Sequence, residues 1–196
     1  MAVNRRVLGG SIVAALVISL GGGYALSRSG DPGDSASTSV DAALDAPGVE
    51  QIPAIRPNAD VEGSELPAVD LLSNDGSAIA TADLLGQPLI VNYWYSTCAP
   101  CKKELPAFAA VHAEFGDRIR FVGVNPFDTP EVNESFARDR GVQYELLRDP
   151  DGAFTAAVGI ANAPVTLFVA ADGSIVRQAA VLTEAELRSY AMELLE

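Results

Sequence analysis

The sequence has 196 residues, of which 48% are hydrophobic, and a formal net charge of −13 at pH 7. This charge argues against nucleic acid or an acidic membrane surface as a partner, because both would repel the protein. Two cysteines three positions apart and a single histidine are too few for a disulfide-stapled fold or a structural zinc site. We therefore expect no metal and no cofactor.

An uncharged stretch near the N-terminus has the length of a membrane-spanning helix. Residues 7–26 contain no charged side chain, and twenty residues in a helix extend about 30 Å, enough to cross the hydrocarbon core. Arg5 and Arg6 precede the stretch and Arg28 follows it, which favours a cytoplasmic N-terminus. We expect residues 1–28 to form an uncleaved membrane anchor rather than a cleaved signal peptide. Under either alternative the rest of the chain is exported.

Residues 29–65 have a different composition. Gly, Pro, Ala, Ser and Asp dominate this stretch, and its eight acidic residues are opposed only by Arg56. Such a composition buries too little apolar surface to offset the entropy of ordering. The sequence therefore predicts a flexible acidic linker over 29–65 and a single folded domain over 66–196.

Strand and helix patterns alternate through the predicted domain. Strands are expected at 68–72, 77–80, 89–94, 119–124, 165–170 and 174–178, and helices from the cysteines to 115 and at 129–140, 153–158 and 183–194. The first two strands and the last two each form a hairpin, since Gly-containing turns separate them. This order predicts an α/β fold with a mixed central sheet flanked by helices on both faces.

The two cysteines lie between a buried strand and a helix, in the segment Cys98-Ala99-Pro100-Cys101. A thiolate at a helix N-terminus faces unpaired backbone N–H groups and the positive end of the helix dipole, which lower the pKa of the Cys98 thiol. Cys101 is one turn further into the helix and is expected to be the buried, resolving thiol. Half a metal site or a chance pair is the alternative for an isolated C-x-x-C, but the flanking elements and the exported location favour thiol–disulfide exchange.

The segment 91–106, Val-Asn-Tyr-Trp-Tyr-Ser-Thr-Cys-Ala-Pro-Cys-Lys-Lys-Glu-Leu-Pro, resembles the active-site segment of the TlpA/ResA-like branch of the thioredoxin superfamily. Residues 66–71 resemble the opening strand of that branch, 84–88 its lead-in to the central strand, and 163–168 its cis-proline loop. The resemblance covers nearly the whole chain after residue 66 and implies a thioredoxin-like fold.

The resemblance also implies roles for two residues close to the cysteines. Glu104 stands where ResA-like proteins have a glutamate that tunes the cysteine pKa values, and a carboxylate there could also relay protons. The alternative is a solvated helix glutamate beside Lys102 and Lys103. Asn92 replaces the buried aspartate of thioredoxins proper, so any proton acceptor for Cys101 must lie elsewhere.

Four residues are expected to form the substrate site. Pro164 is implied to be cis and to pack against the dithiol, with Ala163 before it, and a turned backbone of this kind exposes strand-like groups to a substrate peptide. Tyr95 is expected to contact a partner protein, and Pro100 occupies the first turn of the helix. Thr97 stands where the family usually has tryptophan, which reduces the apolar surface beside the thiolate.

The resemblance implies an exported, membrane-tethered thiol–disulfide oxidoreductase on the outer side of a bacterial cell membrane. Its expected partners are an exported protein with a disulfide or dithiol and a membrane protein that donates or accepts electrons. A reductant of the cytochrome c maturation type is favoured. A disulfide-forming oxidase on the same fold and a non-enzymatic binding module with a vestigial dithiol remain the alternatives.

Overall fold

The computed structural model describes residues 56–196. The predicted membrane segment, residues 1–28, and the predicted linker as far as residue 55 lie outside this part of the chain. Among the described residues, no helix combines the length and the apolar character that crossing a membrane requires.

The described residues form one seven-stranded sheet with four α-helices and a short 3-10 helix. The strands are β1 (Asp70–Ser73), β2 (Ala78–Ala80), β3 (Leu89–Tyr93), β4 (Arg120–Asn125), β5 (Glu145–Arg148), β6 (Val165–Val169) and β7 (Ile175–Ala179). The helices are α1 (Ala99–Phe115), α2 (Pro130–Arg138), α3 (Ala153–Val158) and α4 (Glu184–Glu193), and the 3-10 helix spans Thr81–Leu84.

The strand order is β2-β1-β5-β4-β3-β6-β7. Strands β3, β4 and β5 are parallel, and every other neighbouring pair is antiparallel. The mixed sheet and both hairpins are therefore confirmed. Strand β3 lies inside the sheet, between β4 and β6, and carries the chain into the cysteine segment.

Two separate apolar cores lie on opposite faces of the sheet. Side chains alternate along β3, so Ile90 contacts one core while Val91 contacts the other. The first core is formed with α1, α2 and α4, and the second with α3 and the 3-10 helix. Helices therefore cover both faces, as the sequence predicts.

Helix α1 begins at the cysteines because the residues of its first turn favour a helix N-terminus. Cys98 is the N-cap and Pro100 lies in the first turn, where a missing N–H costs no hydrogen bond. Further along, Leu105, Phe108 and Phe115 are buried on the face that meets the sheet. This packing fixes the direction of α1 and holds its N-terminus at the end of β3.

Strand β5 was not predicted from the sequence. It has only four residues, and Glu145 and Arg148 at its ends are charged, so the apolar alternation of a strand is too short to recognise. In the sheet, Glu145 forms an ion pair with Arg120 of β4 at 2.7 Å. Long-range pairing therefore places a strand where the local pattern is weak.

The start of the packed chain also differs from the sequence prediction. Residues 58–65, predicted to belong to the flexible linker, lie beside β7 in the structure. Gly63 N–H donates to the Ile175 carbonyl and Ile175 N–H to the Ser64 carbonyl, both at 2.8 Å. The side chain of Gln178 donates to the Ala59 carbonyl at 2.9 Å. These partners are more than 100 positions away, which is why local composition does not reveal them.

Candidate active site

Cys98 and Cys101 form a disulfide at the N-terminus of α1. The backbone N–H of Cys101 donates to Cys98 Sγ at 3.2 Å, the type of contact that stabilises a thiolate at that sulfur once the disulfide is reduced. Cys98 is 5% exposed and Cys101 is 1% exposed. The structure therefore places the pair as the sequence predicts, with Cys98 as the more accessible sulfur.

The loop between β3 and Cys98 is held by a carboxylate from the next βα connection. Asp128 accepts hydrogen bonds from the Ser96 backbone N–H at 2.7 Å and from the Ser96 hydroxyl at 2.6 Å. The side-chain amide of Asn125 also donates to Asp128 at 2.7 Å. Sequence analysis missed this network, because the turn residues of 125–130 indicate a turn but not its contact with a loop 32 positions earlier.

The cis-proline loop lies next to the end of β3. The Ala163–Pro164 peptide bond is cis, as the resemblance implies. The antiparallel register pairs Val165 with Tyr93, so Pro164 lies level with the point where the cysteine loop leaves the sheet. Ala163 packs against the apolar core that contains both cysteines.

A shallow cavity of about 200 Å³ lies between this loop and two aromatic residues. Tyr95 is partly exposed, and its ring meets that of Phe127 edge to face at a centroid distance of 5.1 Å. Phe127 is 73% exposed, and Ala163 also lines the cavity. The predicted residues Tyr95 and Ala163 are thus brought together, while Phe127 is a residue of this site that sequence analysis missed.

Glu104 is buried behind the disulfide and is not a solvated surface residue. Its carboxylate is in a side chain that is 3% exposed, and Oε1 accepts a hydrogen bond from the Leu182 backbone N–H. Burial raises the pKa of Glu104 to about 7, although the Leu182 hydrogen bond acts in the opposite direction. Among the described residues Oε2 has no hydrogen-bond partner. The group can therefore change protonation state near neutral pH.

Tyr144 is a further buried polar residue near this carboxylate. Burial raises the pKa of its hydroxyl, and the negative charge of Glu104 raises it further. The Tyr144 hydroxyl and Trp94 Nε1 are both buried without a partner among the described residues. Both side chains lie over Gly123, where a Cβ atom would be 2.9 Å from Trp94 Nε1 and 3.3 Å from Tyr144 Cε2. The region behind the disulfide is therefore lined mainly by apolar side chains, but it also contains buried polar atoms of Glu104, Tyr144 and Trp94.

The remaining predicted residues lie at the rim of the site. Pro100 is partly exposed beside the disulfide, and Lys102 and Lys103 are exposed on the following turn. These are the only lysines of the sequence. A protein of net charge −13 thus has both of its lysines directly after the second cysteine.

The sequence profile described as the AhpC/TSA family matches residues 63–179, which include both cysteines and the cis-proline loop. The chain belongs to the AhpC/TSA family. The thiol:disulfide interchange protein HelX of Rhodobacter capsulatus is 38% identical over 126 residues, which cover 62% of this chain and 70% of HelX. The thiol-disulfide oxidoreductase ResA of Bacillus subtilis is 28% identical over 131 residues, which cover 66% of this chain and 73% of ResA.

Solved structures show the same fold. The structure of MTB dsbF, in mixed oxidised and reduced forms, has a TM-score of 0.60 and 26% sequence identity and covers 65% of this chain and 95% of its own. Together with the Cys98–Cys101 disulfide, these relatives identify the protein as a thiol–disulfide oxidoreductase of the ResA/HelX type with a thioredoxin-like α/β fold.

Proposed function

We propose that this protein is an exported, membrane-tethered oxidoreductase that exchanges its Cys98–Cys101 dithiol with disulfides of other exported proteins. The observation that carries this proposal is a disulfide at a helix N-terminus, beside a cis-proline loop and in front of a buried carboxylate. The tether and the export rest on the apolar segment within residues 1–28 and on the acidic composition of 29–65.

Cys98 is the attacking thiol in this proposal. In the reduced protein its thiolate attacks one sulfur of the client disulfide, and the second client sulfur leaves as a thiolate that takes up a proton. Cys101 then loses its proton and attacks Cys98 Sγ, which releases the client's remaining sulfur as a thiolate that also takes up a proton. Cys101 supplies one of the two protons, and the solvent returns the one that Cys98 lost on ionising. The client gains two electrons and two protons, and the Cys98–Cys101 disulfide forms again.

Glu104 is the proposed proton acceptor and donor for Cys101. It lies one turn further along α1 than Cys101 and is buried in the same interior. A carboxyl with a pKa of about 7 is protonated and deprotonated with similar ease near neutral pH, which suits a group that passes protons. Asn92, also buried, has no titratable proton.

The client peptide is proposed to bind between the cis-proline loop and the aromatic pair. Ala163 and Pro164 present backbone groups at the end of β6, and Tyr95 and Phe127 line the same cavity as Ala163. Pro100 lies between the two cysteines, in the first turn of α1. We expect an extended peptide bound in this cavity to present its cysteine to Cys98.

We favour the reducing direction, with a membrane electron donor that reduces the disulfide again and an apocytochrome c as the leading client. The test is the reduction potential of the full chain in detergent, equilibrated with glutathione or dithiothreitol buffers. A potential near about −270 mV, as in thioredoxin, supports the reductant, whereas a value near about −120 mV, as in DsbA, supports a disulfide-forming oxidase.

A trapping experiment tests the roles of the two cysteines. Cys101→Ser removes the resolving thiol, so Cys98 should accumulate a stable mixed disulfide with a client peptide. Cys98→Ser is the matched control and should form none. Equal behaviour of the two variants, or no exchange by the wild-type protein, would overturn the proposed function in favour of a vestigial dithiol.

A further inference from the structure

The loop before the cis-proline is held by a residue from the beginning of the described chain. Asn58 Oδ1 accepts hydrogen bonds from the backbone N–H groups of Ala161 and Asn162, both at 2.7 Å. Asn58 Nδ2 donates to the Asn162 carbonyl at 3.0 Å. One side chain therefore binds three backbone groups of two consecutive residues in a loop more than 100 positions away.

Two further contacts join the same two segments. The Asn162 side-chain amide donates to the Arg56 carbonyl at 2.8 Å, and the Ala59 backbone N–H donates to the Gly159 carbonyl at 3.0 Å. Gly159 has a φ of +73°, and a Cβ atom on it would come within 2.7 Å of the Ala59 side chain. The close approach of the two backbones thus requires glycine at this position.

The loop leads directly into the proposed substrate site. Helix α3 ends at Val158, and the chain then passes through the residues that Asn58 binds to reach Ala163 and Pro164. Asn162 and Ala163 also form part of the wall of the cavity that Tyr95 lines. The position of this wall therefore depends on Asn58, whereas the disulfide is positioned separately by α1.

We propose that Asn58 is a positioning residue for the client-binding loop 161–164. The inference rests on the proposed function, because it assumes that this loop binds the client polypeptide. Asn58 holds the loop in the position at which Ala163 and Tyr95 line one cavity. Its loss weakens the binding of a polypeptide client, while the reaction of the disulfide with a small thiol compound is unaffected.

The experiment compares two probes with the full-length protein in detergent. The reduced protein is mixed with increasing concentrations of an unstructured peptide that contains one disulfide, and separately with glutathione disulfide. Oxidation is followed by the fluorescence of Trp94, the single tryptophan of the chain, which packs in the same core as both cysteines. The curves give a half-saturating peptide concentration, a limiting rate and a second-order rate constant for glutathione disulfide.

For Asn58→Ala we expect the half-saturating peptide concentration to rise about tenfold. A change of this size corresponds to the net free energy of about one hydrogen bond. The limiting rate and the rate with glutathione disulfide should stay within about twofold of wild type. Glu62→Ala is the matched control, because Glu62 lies in the same segment but accepts its hydrogen bond from Gln178 of β7. Glu62→Ala should match wild type with both probes.

Asn58→Asp keeps the acceptor for both backbone N–H groups, but its second oxygen faces the Asn162 carbonyl, where a donor is needed. It should therefore recover only part of the peptide affinity, and it keeps the test informative if Asn58→Ala folds poorly. A half-saturating concentration unchanged in Asn58→Ala, or a parallel loss of the glutathione reaction, would overturn the positioning role. Exchange by the wild-type protein with neither probe would instead refute the proposed function, and the inference with it.

Discussion

Replacing Glu104 by glutamine should change how the stability of the protein depends on pH. Glutamine keeps the size of the side chain and a carbonyl oxygen for the Leu182 backbone N–H, but it cannot ionise. In the wild-type protein the buried carboxyl has a pKa of about 7, against an ordinary value of 4.5. The folded state therefore binds a proton more tightly than the unfolded chain does.

The sign of the effect follows from this difference. Between pH 4.5 and pH 7 the folded state retains the Glu104 proton that the unfolded state has lost, so the free energy of unfolding falls as pH rises. A shift of about 2.5 pKa units at about 1.36 kcal/mol per unit corresponds to about 3 kcal/mol. Below pH 4.5 both states are protonated, and above pH 7 both are ionised, so the fall is confined to that window.

Urea unfolding of the oxidised protein from pH 4 to pH 8 measures this effect. The stability of Glu104→Gln relative to wild type should increase by about 3 kcal/mol across the window. Glu134→Gln, at an exposed position on α2, is the control and should show a constant difference. A constant difference for Glu104→Gln as well, or one that moves in the opposite direction, would refute the assignment of a buried carboxyl with a raised pKa.

Three other substitutions test the surroundings of the disulfide. Asp128→Ala removes the acceptor for both Ser96 hydrogen bonds and should lower the free energy of unfolding by about 2–3 kcal/mol, as measured by urea unfolding. Phe127→Ala changes a side chain that is 73% exposed, so stability should change by less than about 0.5 kcal/mol, while the half-saturating concentration of a peptide disulfide should rise severalfold. Gly123→Ala places a Cβ atom 2.9 Å from Trp94 Nε1 and should cost about 1–3 kcal/mol, with altered tryptophan fluorescence; wild-type stability would contradict the close packing.

Much of the fold could be predicted because its central elements carry strong local patterns. The apolar run of β3 was predicted to within one residue, and the capping box of α4 was predicted at Thr183 and Glu186, whose reciprocal hydrogen bonds are present. The cysteine pair and cis-Pro164 were located from a motif and a resemblance. Those positions are set by residues adjacent in the chain.

The rest of the site depends on contacts between distant segments. Asp128 is an ordinary turn aspartate in the sequence, and only the sheet order β3–β4 brings it to Ser96. Asn58 lies in a stretch whose composition is typical of a linker, yet its partners are at 161 and 162. The burial of Glu104 beneath the chain at Leu182 likewise depends on the docking of α4, which the pattern of α1 alone cannot show.

The two edges of the sheet differ in how they are protected from pairing with other chains. One edge is β2, which has only three residues and offers little template for another strand. The other is β7, whose outer side would be open without residues 59–64, which hydrogen bond to Ile175 and Gln178. A variant that begins at residue 66 would leave this edge available to a strand of another copy. By covering this edge, residues 59–64 are expected to protect the protein against intermolecular β-sheet aggregation.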